Sequence, residues 1–288
     1  MFISTLLAVA ITLAVAAPAS AADAPSRSNS KNNVVFFVHG FDPSGAADTD
    51  CSSYWSSART HFKNKDWTGG LVTFGYYSEG KNCTYKYNGT RGTSITTVAK
   101  ALANRIYNNY SRHGRKVDVV AHSMGGLVIR SALYNVRNGA SGFPPYLYIE
   151  DVVTLGTPHN GANGLQLLGC KAAFRGQKQC SQMTPGSVFL ERLPEKPSIS
   201  RMGTDWTVVS SYDDATVSEN SGVGVDAKHK LQYNANGARS IDHTELKSLR
   251  SGTYLGRTKT GSGTWSGWAD RGAPLERARQ AVYWHSSR

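Results

Sequence analysis

A hexapeptide between a strand-like run and a helical pattern constrains this chain more than any other feature. It reads Ala-His-Ser-Met-Gly-Gly at positions 121–126, after an apolar β-branched run at 117–121 and before helical spacing at 127–136. A serine on such a strand-to-helix turn needs small residues two positions before and after it, and Ala121 and Gly125 meet that need. The hydroxyl of Ser123 is therefore predicted to project from a strand end, beside unpaired amides of a helix N-terminus.

Strand-like and helical segments alternate along most of the chain. Alternation of this kind is typical of a mostly parallel sheet with helices on both faces, and the active site of such a sheet lies at the carboxyl ends of its strands. We expect strands at 34–38, 71–76, 117–121, 149–155 and 207–210, and helices at 95–106, 127–136 and 274–284.

A serine nucleophile needs a base, and the base needs an orienting acid. In strand-to-helix serine hydrolases these groups follow in the order serine, acid, histidine. His243, just before a helical pattern, is the favoured base, and His229 is the second candidate. Asp213 and Asp214 follow the predicted strand at 207–210, and only one of the two neighbours can reach the histidine well.

The developing negative charge on a substrate oxygen needs two backbone donors. The amide of Met124 follows the nucleophile directly, and the second donor is expected after an earlier strand. Gly40 follows the strand at 34–38 and allows close backbone approach, so we assign the second donor to the Phe41 amide. The Phe41 ring, His122 and His159 are expected to line the substrate pocket.

Taken together, these segments resemble the secreted bacterial lipases of the α/β-hydrolase fold, over roughly residues 33–250. The Ala-x-Ser-x-Gly variant is most similar to lipases of bacilli and of some actinomycetes. In that family the acid precedes a two-residue gap and an apolar residue, so the resemblance implies Asp214, followed by Val217, with Asp213 as second choice. The motifs that carry it are Val38-His39-Gly40-Phe41, the hexapeptide at 121–126, Gly156-Thr157-Pro158-His159-Asn160-Gly161, the stretch at 214–217 and His243.

The two ends of the chain differ from its centre. Residues 1–21 combine an apolar run, Leu6 to Ala17, with small residues at an A-x-A spacing, as in a secretory signal peptide. We expect a flexible mature N-terminus at 22–32, a catalytic domain at 33–250, and an extension at 251–288 packed on or appended to it. The long segment 156–201, rich in Gly, Gln, Ser and Pro, is a candidate lid or pocket rim.

The cysteines and the net charge indicate which ligands and partners the chain is expected to bind. Four cysteines in an exported chain predict two disulfides, for which about three pairings are possible. We favour Cys51–Cys83 and Cys170–Cys180, because each pair lies within one insertion between core elements. The absence of any C-x-x-C speaks against a zinc site, and we expect no metal. The formal net charge is +12, but the cations are scattered, which does not favour nucleic-acid binding. The apolar leader is shorter than a bilayer span, so we expect no stable membrane insertion. We also expect the protein to be a monomer.

These residues predict a secreted serine hydrolase of carboxylic esters that needs no cofactor, with triacylglycerols at a lipid–water interface as the expected substrate. A polyester or cutin hydrolase, or an acyltransferase, would use the same triad, since the pocket decides among them. A binding module on an inactive hydrolase scaffold is the alternative from another class.

Overall fold

A mixed nine-stranded sheet organises the computed structural model, which describes residues 23–42, 50–162, 177–234 and 239–284. The strand order is β3-β2-β1-β4-β5-β6-β7-β8-β9. Every neighbouring pair from β3 to β7 is parallel, whereas β7–β8 and β8–β9 are antiparallel. The strands are β1 (Val34–Val38), β2 (Leu71–Gly75), β3 (Tyr85–Lys86), β4 (Val117–His122), β5 (Ile149–Leu155), β6 (Asp205–Ser211), β7 (His229–Tyr233), β8 (Thr253–Thr260) and β9 (Ala269–Gly272).

Helices cover both faces of this sheet. One hydrophobic core lies under α3 and α4, and a second lies under α2 and α8. Alternate residues of β1 divide between them, because successive strand side chains point to opposite faces: Phe36 joins the first core and Phe37 the second. The helices are α1 (Cys51–Tyr54), α2 (Ser56–Lys63), α3 (Ile95–Asn109), α4 (Met124–Arg137), α5 (Lys178–Gln182), α6 (Val188–Glu191), α7 (Glu219–Gly222) and α8 (Pro274–Ala281).

The α/β-hydrolase fold expected from the sequence is confirmed, and five predicted strands are present with small shifts at their ends. Strand β5 has the predicted bounds, whereas β6 is longer at both ends than the predicted 207–210. The helix predicted from 95 begins there, and its cap is Ser94, whose side chain accepts from the Thr97 amide. Strands β3, β7, β8 and β9 are additions that sequence reasoning did not predict.

Residues 253–281 continue the sheet and its core. Strand β8 pairs antiparallel with β7, and α8 buries Leu275, Ala278 and Ala281 in the second core. Most residues of β8 are only partly buried, so this strand lacks the continuous apolar run that identified the central strands.

The described part of the N-terminal segment contacts the amino end of the sheet through Arg27, and the flexible tail expected at 22–32 stays a prediction. The Arg27 guanidinium donates to the Glu150 and Gly203 carbonyls and to Asp151 Oδ1, at 2.8, 2.6 and 3.1 Å. Its charge neutralises a buried carboxylate, which explains why a polar segment binds here. The predicted leader, residues 1–21, lies outside the described residues, and no helix within the described ranges is long and apolar enough to span a bilayer.

The predicted bridge between Cys51 and Cys83 is confirmed, with an S–S distance of 2.00 Å. It ties the start of α1 to the segment between β2 and β3. The second predicted bridge involves Cys170, which lies outside the described residues, so that pairing stays a prediction.

Candidate active site

Ser123 lies on a strained turn between β4 and α4. Its backbone has φ 54° and ψ −131°, and few non-glycine residues adopt a positive φ. The Ser123 amide donates to the Leu155 carbonyl at 2.9 Å, and the Ser123 carbonyl accepts from the Thr157 hydroxyl at 2.9 Å. These bonds from β5 and the loop after it hold the turn. Because Met124 begins α4, its amide is one of the first-turn N–H groups without an intrahelical acceptor.

The small residues around the serine are required by close backbone contact. A Cβ at Gly125 would lie 2.4 Å from the Val38 carbonyl oxygen, and Ala121 is fully buried in the sheet. The turn therefore packs directly against the end of β1. This contact gives the physical reason for the small residue at Gly125.

The loop after β1 brings the backbone of Gly40 close to the serine. A Cβ at Gly40 would lie 2.7 Å from Ser123 Cβ, so only glycine allows this approach. The Gly40 carbonyl accepts from His39 Nδ1 and the Tyr76 hydroxyl, both at 2.7 Å. In a trans peptide the next N–H points the opposite way, so these two bonds set the direction of the Phe41 amide.

His39 is held neutral in this loop. Burial lowers its pKa to about 4, although its bond to the Gly40 carbonyl acts in the opposite direction. The ring stacks on Tyr76 with 3.9 Å between centroids. Farther along the loop, Arg91 donates to the Asp42 carbonyl at 2.7 Å and pairs with the Asp42 carboxylate at 3.2 Å. The loop is thus fixed on both sides of Phe41.

His243 and Asp214 form a close hydrogen-bonded pair. His243 Nδ1 and Asp214 Oδ2 are 2.6 Å apart, and Asp214 Oδ1 accepts from the Thr216 and Val217 amides at 2.8 Å each. A carboxylate only accepts, so it holds the proton on Nδ1 and leaves Nε2 of a neutral ring unprotonated. The His243 ring lies 4.6 Å from the His122 ring, next to Ser123 in the chain.

The second candidates for acid and base make other contacts. Asp213 Oδ2 accepts from the Ile241 amide at 3.3 Å. Asp213 therefore contacts the backbone two residues before His243 and not the His243 ring. His229, at the start of β7, contacts Asp205 at 3.2 Å, at the amino end of the parallel strands. Both aspartates therefore follow β6 at the serine's end of the sheet, but only Asp214 contacts the His243 ring, and His229 lies at the opposite end.

Two histidines expected to line the pocket are buried inside the protein. His122 and His159 expose only 3% and 1% of their surface. Burial lowers the pKa of both well below the usual range, and the nearby Arg130 charge acts in the same direction on His159. His159 Nε2 contacts the Thr154 hydroxyl at 3.0 Å. Both contact protein groups, so their role in a substrate pocket stays a prediction.

His122 connects two parts of the site. Its Nε2 lies 2.7 Å from the His243 carbonyl oxygen, and its Nδ1 lies 2.5 Å from the Tyr54 hydroxyl. The same hydroxyl accepts from the Gly40 amide at 3.0 Å. Sequence reasoning missed Tyr54, as well as Tyr76 and Arg91, as neighbours of the site. Tyr54 is 69 positions before Ser123, and no motif singles it out.

Arg130 joins the segment proposed as a lid to helix α4. It donates to the His159 carbonyl at 2.9 Å and to the Leu193 and Pro194 carbonyls at 3.3 and 2.9 Å. Burial lowers its pKa to about 10. The described parts of 156–201 are therefore held at two points, whereas residues 163–176 lie outside the described residues.

A group of three buried carboxylates lies at the amino ends of β4 and β5, away from the serine. Asp118, Glu150 and Asp151 place ligand-type oxygens within 4.8 Å of one another. Arg27 pairs with Asp151 at 3.1 Å, and Lys116 pairs with Glu150 at 2.6 Å. Since these side chains already supply positive charge, the group has the character of a buried ion-pair network.

Known proteins with similar sequences or structures include lipases and another hydrolase. Over 87 residues the chain is 37% identical to Lipase 1 of Staphylococcus aureus (strain MRSA252), covering 24% of this chain but only 13% of that protein. The Bacillus licheniformis lipase BlEst2 in mature form is 18% identical, with a TM-score of 0.46, over 78% of this chain and 90% of that one. The BphD hydrolase of Rhodococcus sp. strain RHA1 is 15% identical, with a TM-score of 0.48, over 76% of this chain and 86% of that one.

A family model gives the most extensive sequence match. The family is described as "Putative serine esterase (DUF676)", and its model matches residues 28–183. That range is more than half of the 288 residues and includes β1, the loop at Gly40, the serine turn and β5. The chain belongs to this family.

Proposed function

We propose that the protein hydrolyses carboxylic esters through an acyl-enzyme on Ser123, with His243 as base and Asp214 as orienting acid. One observation carries the proposal: the strained Ser123 turn and the His243–Asp214 pair lie together at the carboxyl end of the sheet. The amides of Phe41 and Met124 are the proposed oxyanion donors.

The reaction follows from the donors and acceptors of these groups. Ser123 Oγ attacks the ester carbonyl carbon while His243 Nε2 takes its proton, and the two amides stabilise the oxyanion. The carbon–oxygen bond to the alcohol then breaks, and the alcohol leaves with the proton from His243. Water attacks the acyl-enzyme and gives a proton to Nε2. The Ser123–acyl bond breaks, the serine recovers that proton, and the carboxylic acid leaves.

The decisive test is Ser123→Ala, assayed with p-nitrophenyl butyrate and a fluorescent fluorophosphonate. We expect loss of both hydrolysis and covalent labelling, because no other group replaces the attacking oxygen. Ser181→Ala, which changes an exposed serine on α5, is the control and should keep both. Normal ester turnover by Ser123→Ala would refute the proposal. An unaltered protein that neither hydrolyses the ester nor is labelled by the fluorophosphonate would favour an inactive scaffold.

We further propose that triacylglycerols at a lipid–water interface are the substrate. The support is the similarity to Lipase 1, whose name states a lipase. Hydrolysis of emulsified triolein should then exceed that of a polyester film, and rates should rise sharply once the substrate forms an interface. Preference for the film would favour a polyester hydrolase, and ester formation with an added alcohol in excess of hydrolysis would favour an acyltransferase.

Secretion is also a proposal, based on the apolar run at 6–17, the Ala19-Ser20-Ala21 spacing and the Cys51–Cys83 bridge. Protein recovered from culture medium after expression of the full chain should begin at Ala22 by N-terminal sequencing. Retention of the intact N-terminus in the cell fraction would contradict it.

A further inference from the structure

We infer that Tyr54 and His122 are positioning residues for the reaction, a pair that we call the Tyr54–His122 bridge. The bridge joins the loop that carries the proposed oxyanion donor to the loop that carries the proposed base. This inference rests on the proposed function, because it concerns how Phe41 and His243 are held relative to Ser123. Neither residue of the bridge is assigned a step in the reaction itself.

The contacts of the bridge allow one arrangement of protons. A carbonyl oxygen can only accept, so His122 Nε2 carries a proton and donates to His243 O over 2.7 Å. Burial keeps the ring neutral, which leaves a lone pair on Nδ1. The Tyr54 hydroxyl must therefore donate to Nδ1 over 2.5 Å, and its oxygen can accept from the Gly40 amide over 3.0 Å. Every donor in this chain has its acceptor.

Tyr54 is itself held from two further directions. It ends α1, the helix whose first residue, Cys51, is bonded to Cys83. The Lys247 ammonium lies 4.1 Å from the centroid of the Tyr54 ring and 3.4 Å from its carbonyl oxygen. Because Lys247 is four residues after His243, the base loop contacts Tyr54 both directly and through His122.

The position of the bridge indicates an effect on the chemical step more than on substrate binding. The Gly40 amide that it holds belongs to the residue in contact with Ser123. Oxyanion donors act on charge that develops only in the transition state, and their effect depends on exact placement. A small shift of the Gly40–Phe41 peptide should therefore lower kcat and leave KM nearly unchanged.

Tyr54→Phe tests the bridge by removing one oxygen. We expect kcat for p-nitrophenyl butyrate to fall roughly 10- to 100-fold, with KM changed less than about twofold. Affinity for an alkylboronic acid, which forms a tetrahedral adduct on the serine, should fall by a similar factor. Tyr85→Phe is the matched control, because its hydroxyl contacts Tyr110 on the α3 side of the sheet, and it should retain the original kcat.

The double variant Tyr54→Phe/His122→Gln separates a shared path from two independent effects. If the residues act as one bridge, the double variant should lose little more activity than the more damaged single variant. Fully multiplied losses, or an unchanged kcat in Tyr54→Phe, would overturn the inference. Thermal unfolding of each variant is the control for folding. A fall in kcat that is caused by loss of the fold would be accompanied by a lower Tm.

A measurement on the unaltered protein covers the case in which the variants do not fold. Nitrogen-15 NMR of the histidine rings should show His122 as a neutral Nε2–H tautomer from about pH 5 to about pH 8, the range in which an ordinary histidine changes its charge. A charged ring or an Nδ1–H tautomer would contradict the bridge. If Ser123→Ala is inactive while Tyr54→Phe is unaffected, the inference alone fails. If Ser123→Ala is active, the proposed function fails as well.

Discussion

Asp213 and Asp214 show how two adjacent residues of one type acquire different surroundings. The Asp214 side chain is buried, accepts from two amides of its own turn through Oδ1, and contacts His243 through Oδ2. Asp213 is partly exposed and accepts from the Ile241 amide. Consecutive side chains diverge from the backbone, so a single turn presents one carboxylate to the imidazole and the other to the neighbouring chain.

Asp214→Asn should lower kcat by a factor on the order of 10³–10⁴, because an amide can donate to Nδ1 and favour the wrong tautomer of His243. Asp213→Asn is the matched control, and its kcat should stay within about threefold, since the bond to a backbone amide needs only an oxygen. Steady-state hydrolysis of p-nitrophenyl butyrate measures both. Comparable losses in the two variants would contradict the assignment of Asp214.

Asp118 carries a buried carboxyl group that is unfavourable when charged. Burial raises its pKa well above the usual range, and the charges of Asp151 and Glu150 raise it further. A carboxyl with a raised folded-state pKa stabilises the fold below its unfolded pKa, and that contribution is lost as the pH rises through the folded value. At neutral pH the ionised form is therefore penalised.

Asp118→Asn removes this penalty. In the unaltered protein the Asp151 amide donates to Asp118 Oδ1, and the asparagine side chain retains an oxygen for that bond. We expect the free energy of unfolding at pH 7 to rise by roughly 1–2 kcal/mol, with the gain disappearing near pH 4. Urea denaturation at both pH values measures it. Asp66→Asn, in an exposed ion pair with Lys31, should change stability by less than about 1 kcal/mol. Destabilisation of Asp118→Asn at pH 7 would show that the charged form is favoured.

At the scale of elements, a covalent bridge holds the short helix α1 against the edge of the sheet. Helix α1 has only four residues, too few to be stable without tertiary contacts. Its N-cap, Asp50, accepts from the Ser52 and Ser53 amides, and Cys51 is bonded to Cys83 beside β3. Gly75, in β2, lies so close that a Cβ there would be 2.4 Å from Cys83 Sγ.

Replacing both cysteines, Cys51→Ala with Cys83→Ala, should lower the free energy of unfolding by about 3–4 kcal/mol, because the 32-residue loop gains freedom in the unfolded chain. Urea denaturation measures the change. Cys170→Ala with Cys180→Ala serves as the comparison for the second predicted bridge. A loss below about 1 kcal/mol for the first pair would mean that packing alone holds α1. Activity should also fall, since α1 ends at Tyr54.

At the scale of the whole molecule, three buried neutral histidines make the fold sensitive to acid. His39 has a pKa of about 4, and burial places the pKa values of His122 and His159 well below 6.5. The unfolded chain binds protons on these rings near pH 6.5, before the folded protein does. Their stabilising contribution is therefore complete above pH 6.5 and is lost as the pH falls towards 4.

The free energy of unfolding should decline as the pH falls from 6.5 to 4, with His39 alone accounting for up to about 3 kcal/mol. Urea denaturation across this range gives the slope. His159→Gln should reduce the slope by removing one buried ring, whereas His113→Gln, at an exposed ring, should leave it unchanged. A slope that is the same in all three proteins would show that other groups cause the acid sensitivity.

The described structure also shows why the last two strands of the sheet, β8 and β9, were not predicted from the sequence. Strands β1, β4 and β5 are buried along their whole length, and such apolar runs can be recognised locally. Strands β8 and β9 are largely polar, because the last strands of the sheet are only partly covered, and the pairing of β8 depends on β7 being in place.

The sequence by itself determined the fold class, the serine turn and the order in which an acid and a histidine follow it. These features depend on local spacing, since small residues around Ser123 and alternating apolar runs have the same meaning wherever the chain places them. Only the tertiary structure decided that Asp214, and not Asp213, contacts His243, and that Tyr54 and His122 link the base loop to Gly40. Those contacts join segments up to 121 residues apart, and hydrogen bonds over such separations form only once the sheet has brought the strand ends together.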